Sequence, residues 1–182
     1  MTKELFDEIV NKYHTDQCRE EMWLLIEKLN VLQPANILEV GIEYGGSGMV
    51  WSYFSDKNQG HYLGIENLLN RVTSDLINKE RVTIIEGLSF AEDVVSDTVD
   101  FLDNNEFDFI FLDGSHDIKD VYADIKNFWP LLKKGGILAI HDVANDKDGA
   151  RIGLELAKKD GILNPTEDGF LIINHGTYWS VK

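Results

Sequence analysis

Two short stretches place acids and imidazoles where a protein could do chemistry. Asp113-Gly114-Ser115-His116 follows an almost continuous apolar run, FDFIFLD at 107–113, and His141-Asp142 closes another, ILAIH at 137–141. A histidine can serve as general base near neutral pH, because its unperturbed pKa lies there, and His116 and His141 are the candidates. A third acid, Glu66, ends the run HYLGIE at 61–66 and lies 25 residues beyond Gly41. An acid so placed can accept hydrogen bonds from both hydroxyls of a ribose, a device dinucleotide folds use about 20 residues past their glycine loop. Glu66 therefore supports a nucleoside ligand without saying which. The loop concerned is ILEVGIEYGGSG, residues 37–48, where a short apolar run containing Glu39 breaks into Gly41, Gly45, Gly46, Ser47 and Gly48. Its glycines permit φ > 0 and close approach of a ligand, and the helix that follows offers unpaired N–H groups. It is not a dinucleotide fingerprint, since the frame Gly46-x-Gly48 has Trp51 where a third glycine is needed. Nor is it a phosphate loop, because no Gly-Lys-Ser or Gly-Lys-Thr occurs in the chain.

The elements that must carry these residues are legible from periodicity. Residues 3–13 place Leu5, Phe6, Ile9 and Val10 at helical spacing, and Met22, Leu25, Ile26, Leu29 and Leu32 mark a second helix over 19–32, stopped by Pro34. Thr15 or Asp16 could cap that helix, and Glu20, Glu21 and Glu27 are assigned to its solvated face. After the glycine loop come strands at 61–66, 82–87, 107–113 and 137–141, with helices at 68–78, 90–102, 118–129 and 149–159. The clearest amphipathic stripe is Ile118, Val121, Tyr122, Ile125, Phe128 and Trp129, and Asp124 within it reads as structural. Lys133-Lys134-Gly135-Gly136 reads as the turn into the fifth strand. Runs 169–174 and 177–182 flank His175-Gly176 and read as a hairpin. Alternating β and α units demand a mostly parallel sheet with helices on both faces, an α/β doubly wound fold closed by an antiparallel hairpin. With no repeat or linker in sight, residues 1–182 read as a single domain with residues 1–33 as an N-terminal helical extension.

Glu-x-Gly-x-x-x-Gly-Gly-Ser resembles the first motif of class I S-adenosylmethionine (SAM)-dependent methyltransferases. The stretch FDFIFLDGSHDIKDVYADIKNFWPLLKKGGILAIHD resembles a family of small-molecule O-methyltransferases with an Asp-Gly-x-His after strand four and a His-Asp after strand five. Together the two cover most of residues 37–143. The resemblance implies a seven-stranded sheet, with Glu39 by the amino end of the methionine moiety and Gly41, Gly45, Gly46 and Ser47 passing under the cofactor. It implies Glu66 on the ribose, Gly87, Leu88 and Ser89 beside the adenine, and Asp113 at the cofactor's reactive end. It also implies catalytic roles for Asp113, His116 and His141, and a divalent metal such as Mg²⁺ on Asp113 and Asp142. Such an ion would lower the pKa of an acceptor hydroxyl and fix its direction. His141 stands where some relatives carry an acid, and imidazole suits zinc, iron or nickel better than magnesium.

The expected activity is methyl transfer to a hydroxyl of a small molecule such as a sugar or polyketide group. The rivals are a SAM- or nucleoside-binding module without turnover, and a nicotinamide-dependent reductase. The bland readings also stand beside these: Asp113 or Asp117 could cap the helix at 118–129, and Gln17 could either fold over the site or lie in a linker. With no long insertion to serve as a lid, the acceptor pocket is open, or a second subunit of a homo-oligomer closes it.

Composition sets the outer limits. Among 182 residues, 43% are hydrophobic and 27% charged, ordinary for a soluble globular protein. Seventeen basic against 32 acidic residues leave a net charge of −15, which repels phosphate backbones and argues against a nucleic-acid partner. One cysteine, Cys18, fits a reducing compartment. The N-terminus lacks the apolar core of a signal peptide, and no run approaches the roughly 18 apolar residues of a membrane span, so a cytoplasmic, non-membrane protein is expected.

Overall fold

The computed structural model describes residues 1–182. Its centre is a seven-stranded sheet built from β1 (Ile37–Val40), β2 (Tyr62–Glu66), β3 (Val82–Glu86), β4 (Phe107–Leu112), β5 (Leu132–His141), β6 (Glu167–Leu171) and β7 (Thr177–Val181). The strand order is β3-β2-β1-β4-β5-β7-β6. β1 to β5 pair in parallel, while β7 runs antiparallel to both β5 and β6. The direction of winding reverses between β1 and β4, and in open α/β sheets that switch point is where the carboxyl edge opens into a ligand crevice.

Helices α1 (Lys3–Lys12), α2 (Arg19–Leu32), α3 (Gly46–Lys57), α4 (Ser74–Ile77), α5 (Glu92–Leu102), α6 (Ile118–Phe128) and α7 (Gly149–Lys159) complete the chain. Strand alternation sends Ile37, Phe109, Phe111 and Ala139 to one face, where they bury against Phe6, Leu25, Ile26, Trp51 and Phe54 of α1, α2 and α3. Leu38, Val40, Ile110, Leu112 and Ile140 go to the other face, against Val94, Val121, Ile125 and Leu154 of α5, α6 and α7. Each large side chain so buried contributes about 1.5–3 kcal/mol, and burial of β4 on both faces accounts for an apolar run broken only by Asp108. No helix is long and apolar enough to cross a membrane.

The chain departs from the periodicity reading in four places. The segment expected as one helix over 68–78 is a 3₁₀ turn at Leu69–Arg71 followed by the single-turn α4. It breaks at Val72 and Thr73, which are extended so that Val72 and Leu76 can pack against Gly45. The Lys-Lys-Gly-Gly turn lies inside β5, where a register shift between Phe107 and Phe109 absorbs the extra residues and Gly135 takes φ +81°. The helix expected from Phe90 begins at Glu92, and the expected tight hairpin is a wider connection over 172–176. At the helix ends, Cys18 and Asp117 occupy the N-cap positions of α2 and α6, without side-chain capping bonds.

Candidate active site

A cleft of about 970 Å³ lies along the carboxyl edge of the sheet, within the size range of small-molecule sites. Gly41, Glu66, Gly87–Phe90, Asp113–His116, His141 and Asp142 line it, with Asp16 and Gln17 on one side and His175 on another. One end is thus the β2–β3 side, the other the acid and imidazole cluster after β4 and β5.

At the first end, Glu66 is 7% exposed. Its Oε2 accepts hydrogen bonds from the backbone N–H groups of Ile42 (2.9 Å) and Glu43 (2.8 Å), and its Oε1 accepts one from Leu68 (2.9 Å). The carboxylate is therefore fixed on the cleft wall, and Oε1 keeps a lone pair uncommitted for a ligand hydroxyl. Gly87, Leu88 and Ser89 line the same end, with Leu88 well exposed. Behind them Asp124 is 2% exposed, with one carboxylate oxygen unpartnered. Burial pushes its carboxyl up to about 7, and the Ser89 hydroxyl beside it opposes the rise. In the middle, Gly41 takes φ +83°, and a Cβ there would sit 2.1 Å from the Asp113 carbonyl oxygen. Only glycine lets the ends of β1 and β4 converge this closely.

The second end is denser. His141, 6% exposed, points Nδ1 at Asp113 Oδ1 (3.1 Å) and Asp142 Oδ2 (3.4 Å). Burial alone would lower the imidazole's pKa, but the two carboxylates outweigh it and raise it to about 10. Burial likewise opposes ionisation of Asp142, and His141, His116 and His175 together hold that carboxyl below its usual range. His116 Nε2 lies 2.8 Å from Asp142 Oδ2 with its ring largely exposed. The Gln17 amide donates to Asp113 Oδ2, so the segment between α1 and α2 reaches over the cleft. Asp142 sits at φ +58°, a left-handed conformation that few non-glycine residues adopt and that often marks functional sites.

Asp113, His116, His141 and Asp142 are thus brought together, as are Gly41, Glu66, Gly87, Leu88 and Ser89 along the rest of the cleft. Glu39, Gly45, Gly46 and Ser47, expected beside or under the cofactor, are not among the residues that line this cleft. Glu39 points to the α3 face of β1 and is completely buried, with Trp51 Nε1 donating to it (3.1 Å) and the Tyr62 hydroxyl hydrogen-bonded to it. Ser47 is buried beside it. Gly45 packs under Thr73 and Leu76, and a Cβ on Gly46 would lie 1.9 Å from the His14 carbonyl oxygen. These two glycines are required by chain-on-chain packing.

Two residues escaped the sequence reading. His175 Nδ1 comes within 3.5 Å of Asp142 Oδ1. A signal for it existed: a reversed last strand must begin at the edge where the parallel strands end, so the residues before Thr177 had to lie there. Glu21, assigned to a solvated helix face, is 1% exposed. Its carboxylate accepts from the backbone N–H groups of Ile173 (2.6 Å), Asn174 (2.6 Å) and Gly176 (3.1 Å) and so holds the turn that carries His175. Nothing in local periodicity announces this.

Asp113, His141 and Asp142 can each offer one ligand atom, all within 4.8 Å of one another. Two carboxylates facing one buried imidazole are a donor set and a charge that fit a divalent cation.

The comparisons bear on the family and the fold. A sequence model described as a methyltransferase domain matches residues 38–143, from β1 to just past β5. The chain is 27% identical over 127 residues to the rhamnosyl O-methyltransferase of Mycobacterium tuberculosis, taking in 67% of this chain and 51% of that one. It therefore spans about half the length of the curated relatives it matches. Among solved structures, MycE methyltransferase from the mycinamycin biosynthetic pathway, in complex with Mg and S-adenosylhomocysteine (SAH), superposes with a TM-score of 0.69 at 18% identity, covering 97% of this chain and 54% of that one. The O-methyltransferase TomG from Streptomyces achromogenes, in complex with SAM, gives 0.68 at 16% identity over 100% of this chain and 90% of its own. At such identities the likeness speaks for the fold. With the domain match spanning more than half of its residues and the glycine loop, Glu66 and the Asp113–Asp142 cluster all inside it, the chain belongs to the methyltransferase domain family.

Proposed function

We propose that this protein transfers a methyl group from SAM to a hydroxyl of a small molecule of the sugar or polyketide class, with a divalent cation assisting. The carrying observation is the single cleft that joins a rigid carboxylate suited to a ribose, Glu66, to two acids and three imidazoles at its far end. The family match supports the reading, as does the rhamnosyl acceptor by which a curated relative is named.

SAM brings an already activated methyl on its sulfonium, so the protein has to orient an acceptor oxygen in line and relieve it of a proton. Glu66 takes the ribose hydroxyls, while Gly87, Leu88 and Ser89 border the adenine. Gly41 keeps the floor of the cleft free of side chain where β1 meets β4. Asp113 and Asp142 would hold the cation, with His141 beside them, and the cation would supply a Lewis acid for the acceptor hydroxyl. His141 and His116 then divide the remaining work. His141 is enclosed by the two acids and committed to them. His116, at the exposed rim, is free to take the acceptor's proton and pass it to solvent. Gln17, by holding Asp113 Oδ2, limits how that carboxylate can turn. The cleft's lining carries Asp16, Glu43, Glu66, Asp113, Asp120, Asp142 and Asp148 against Arg71 and the protonated His141, so an anionic acceptor would be repelled.

Calorimetry with SAH tests the cofactor half. Glu66→Ala removes hydrogen bonds to a charged group worth about 1.5–3 kcal/mol, so SAH affinity falls about 10- to 100-fold. The chemistry is tested by following SAH release from SAM with neutral hydroxylated acceptors. Wild-type affinity in Glu66→Ala would remove the ribose assignment, and tight SAH binding without product over a broad panel would favour the non-catalytic reading.

A further inference from the structure

The cluster at the far end of the cleft is richer in nitrogen than a magnesium site needs to be. Three of the chain's five histidines surround one carboxylate, Asp142. His116 Nε2 lies 2.8 Å from its Oδ2, His141 Nδ1 3.4 Å from the same oxygen, and His175 Nδ1 3.5 Å from Oδ1. The other two, His14 and His61, are engaged elsewhere, with Asp16 and Thr83.

None of the inner nitrogen is incidental. His141 is 6% exposed and wedged beside Phe111, with a ring-centroid separation of 6.2 Å, so its ring cannot swing out of the way of a cation seated between the two acids. Its Nδ1 faces Asp113 and Asp142 from the same side, and the ligand atoms of all three lie within 4.8 Å of each other. The His175 ring is half exposed, but the backbone that carries it is held, because the buried Glu21 carboxylate accepts from the N–H groups of Ile173, Asn174 and Gly176. Magnesium asks for six oxygens in near-octahedral array and keeps much of its water. Imidazole with carboxylate suits zinc, cobalt, nickel or iron.

Resting on the methyltransferase reading above, we propose that this site selects a first-row transition cation over Mg²⁺. His141 Nδ1 is a direct ligand beside Asp113 and Asp142, and His175 is a positioning residue that orients Asp142 through its outer oxygen. The ion takes the place of the proton that His141 Nδ1 shares with the two acids, and the neutral imidazole and two carboxylates that remain carry a charge of −2, which it cancels.

The test uses the full chain stripped with EDTA and titrated with CoCl₂ or MgCl₂, read by calorimetry and by the visible absorption of bound Co²⁺. Wild type should bind Co²⁺ at least about 100-fold more tightly than Mg²⁺, with an absorption spectrum typical of mixed nitrogen and oxygen ligation. Transition ions outrank magnesium at many sites, so the dependence on His141 decides the matter. His141→Asn should shrink the preference to about tenfold or less and move the Co²⁺ bands. His175→Gln should weaken Co²⁺ several-fold while leaving Mg²⁺ unchanged, and it serves if circular dichroism shows that His141→Asn is unfolded. Equal or tighter Mg²⁺ binding, or a wild-type Co²⁺ spectrum and affinity in the histidine variants, overturns the proposal. SAH affinity of the EDTA-treated protein is measured alongside. SAH bound normally with no ion preference defeats the cation proposal alone, whereas no SAH binding at all defeats the methyltransferase reading.

Discussion

Glu39 offers the sharpest separation between a cofactor contact and a core residue. Resemblance puts it beside the methionine end of SAM, whereas the structure seats it between Trp51 and Tyr62 with no exposed surface. Burial drives its carboxyl up from 4.5 to about 8, with the Ser47, Tyr62 and Trp51 hydrogen bonds pulling the other way. The folded state thus holds a proton that the unfolded chain has lost, so stability falls as pH rises. The contribution is present below about 4.5, erodes above it, and is gone once pH passes about 8. At about 1.4 kcal/mol per pKa unit, the loss between pH 5 and 8 comes to about 3–4 kcal/mol. Glu39→Gln keeps the shape, lets the amide oxygen accept from Trp51 and turns the NH₂ toward Tyr62 and Ser47, but has no proton to lose. Urea unfolding at pH 5 and pH 8 measures the difference. The variant should gain about 3–4 kcal/mol on wild type in going from the lower to the higher pH, with SAH affinity unchanged within about twofold. Parallel pH dependences for the two proteins would refute the buried-acid account. A large loss of SAH affinity with normal stability would return Glu39 to the cofactor.

Two further substitutions probe how the N-terminal helices serve the cleft. Glu21→Gln sets an NH₂ group against backbone donors and should cost about 1–3 kcal/mol, lowering Tm by about 3–10 °C. A shift below about 1 °C would mean that the 173–176 turn does not depend on that carboxylate. Gly46→Ala drives a Cβ to 1.9 Å from the His14 carbonyl, so the segment carrying Asp16 and Gln17 has to lift. Amide exchange over residues 14–18 should then accelerate about tenfold or more, and unchanged protection would show the loop yielding instead.

The amino-acid sequence by itself determined the layered α/β plan, because hydrophobic periodicity is a local property that survives without tertiary knowledge. The almost continuous apolar run 107–113 reads as a strand covered on both faces, and the stripe from Ile118 to Trp129 as a helix lying on it. It also determined which edge matters, since Gly41, Glu66, Asp113 and His141 each end a parallel strand and must converge there. Tertiary structure decided what those residues touch. Glu39 faces α3 rather than the cleft through the alternation of a four-residue strand too short to display it. Gly46 answers to a carbonyl 32 residues earlier in the chain, at His14. Glu21 finds its partners more than 150 residues away, and through them brings His175 to Asp142. A side chain's partner across the fold depends on where distant backbones cross, and spacing along the chain carries no record of that.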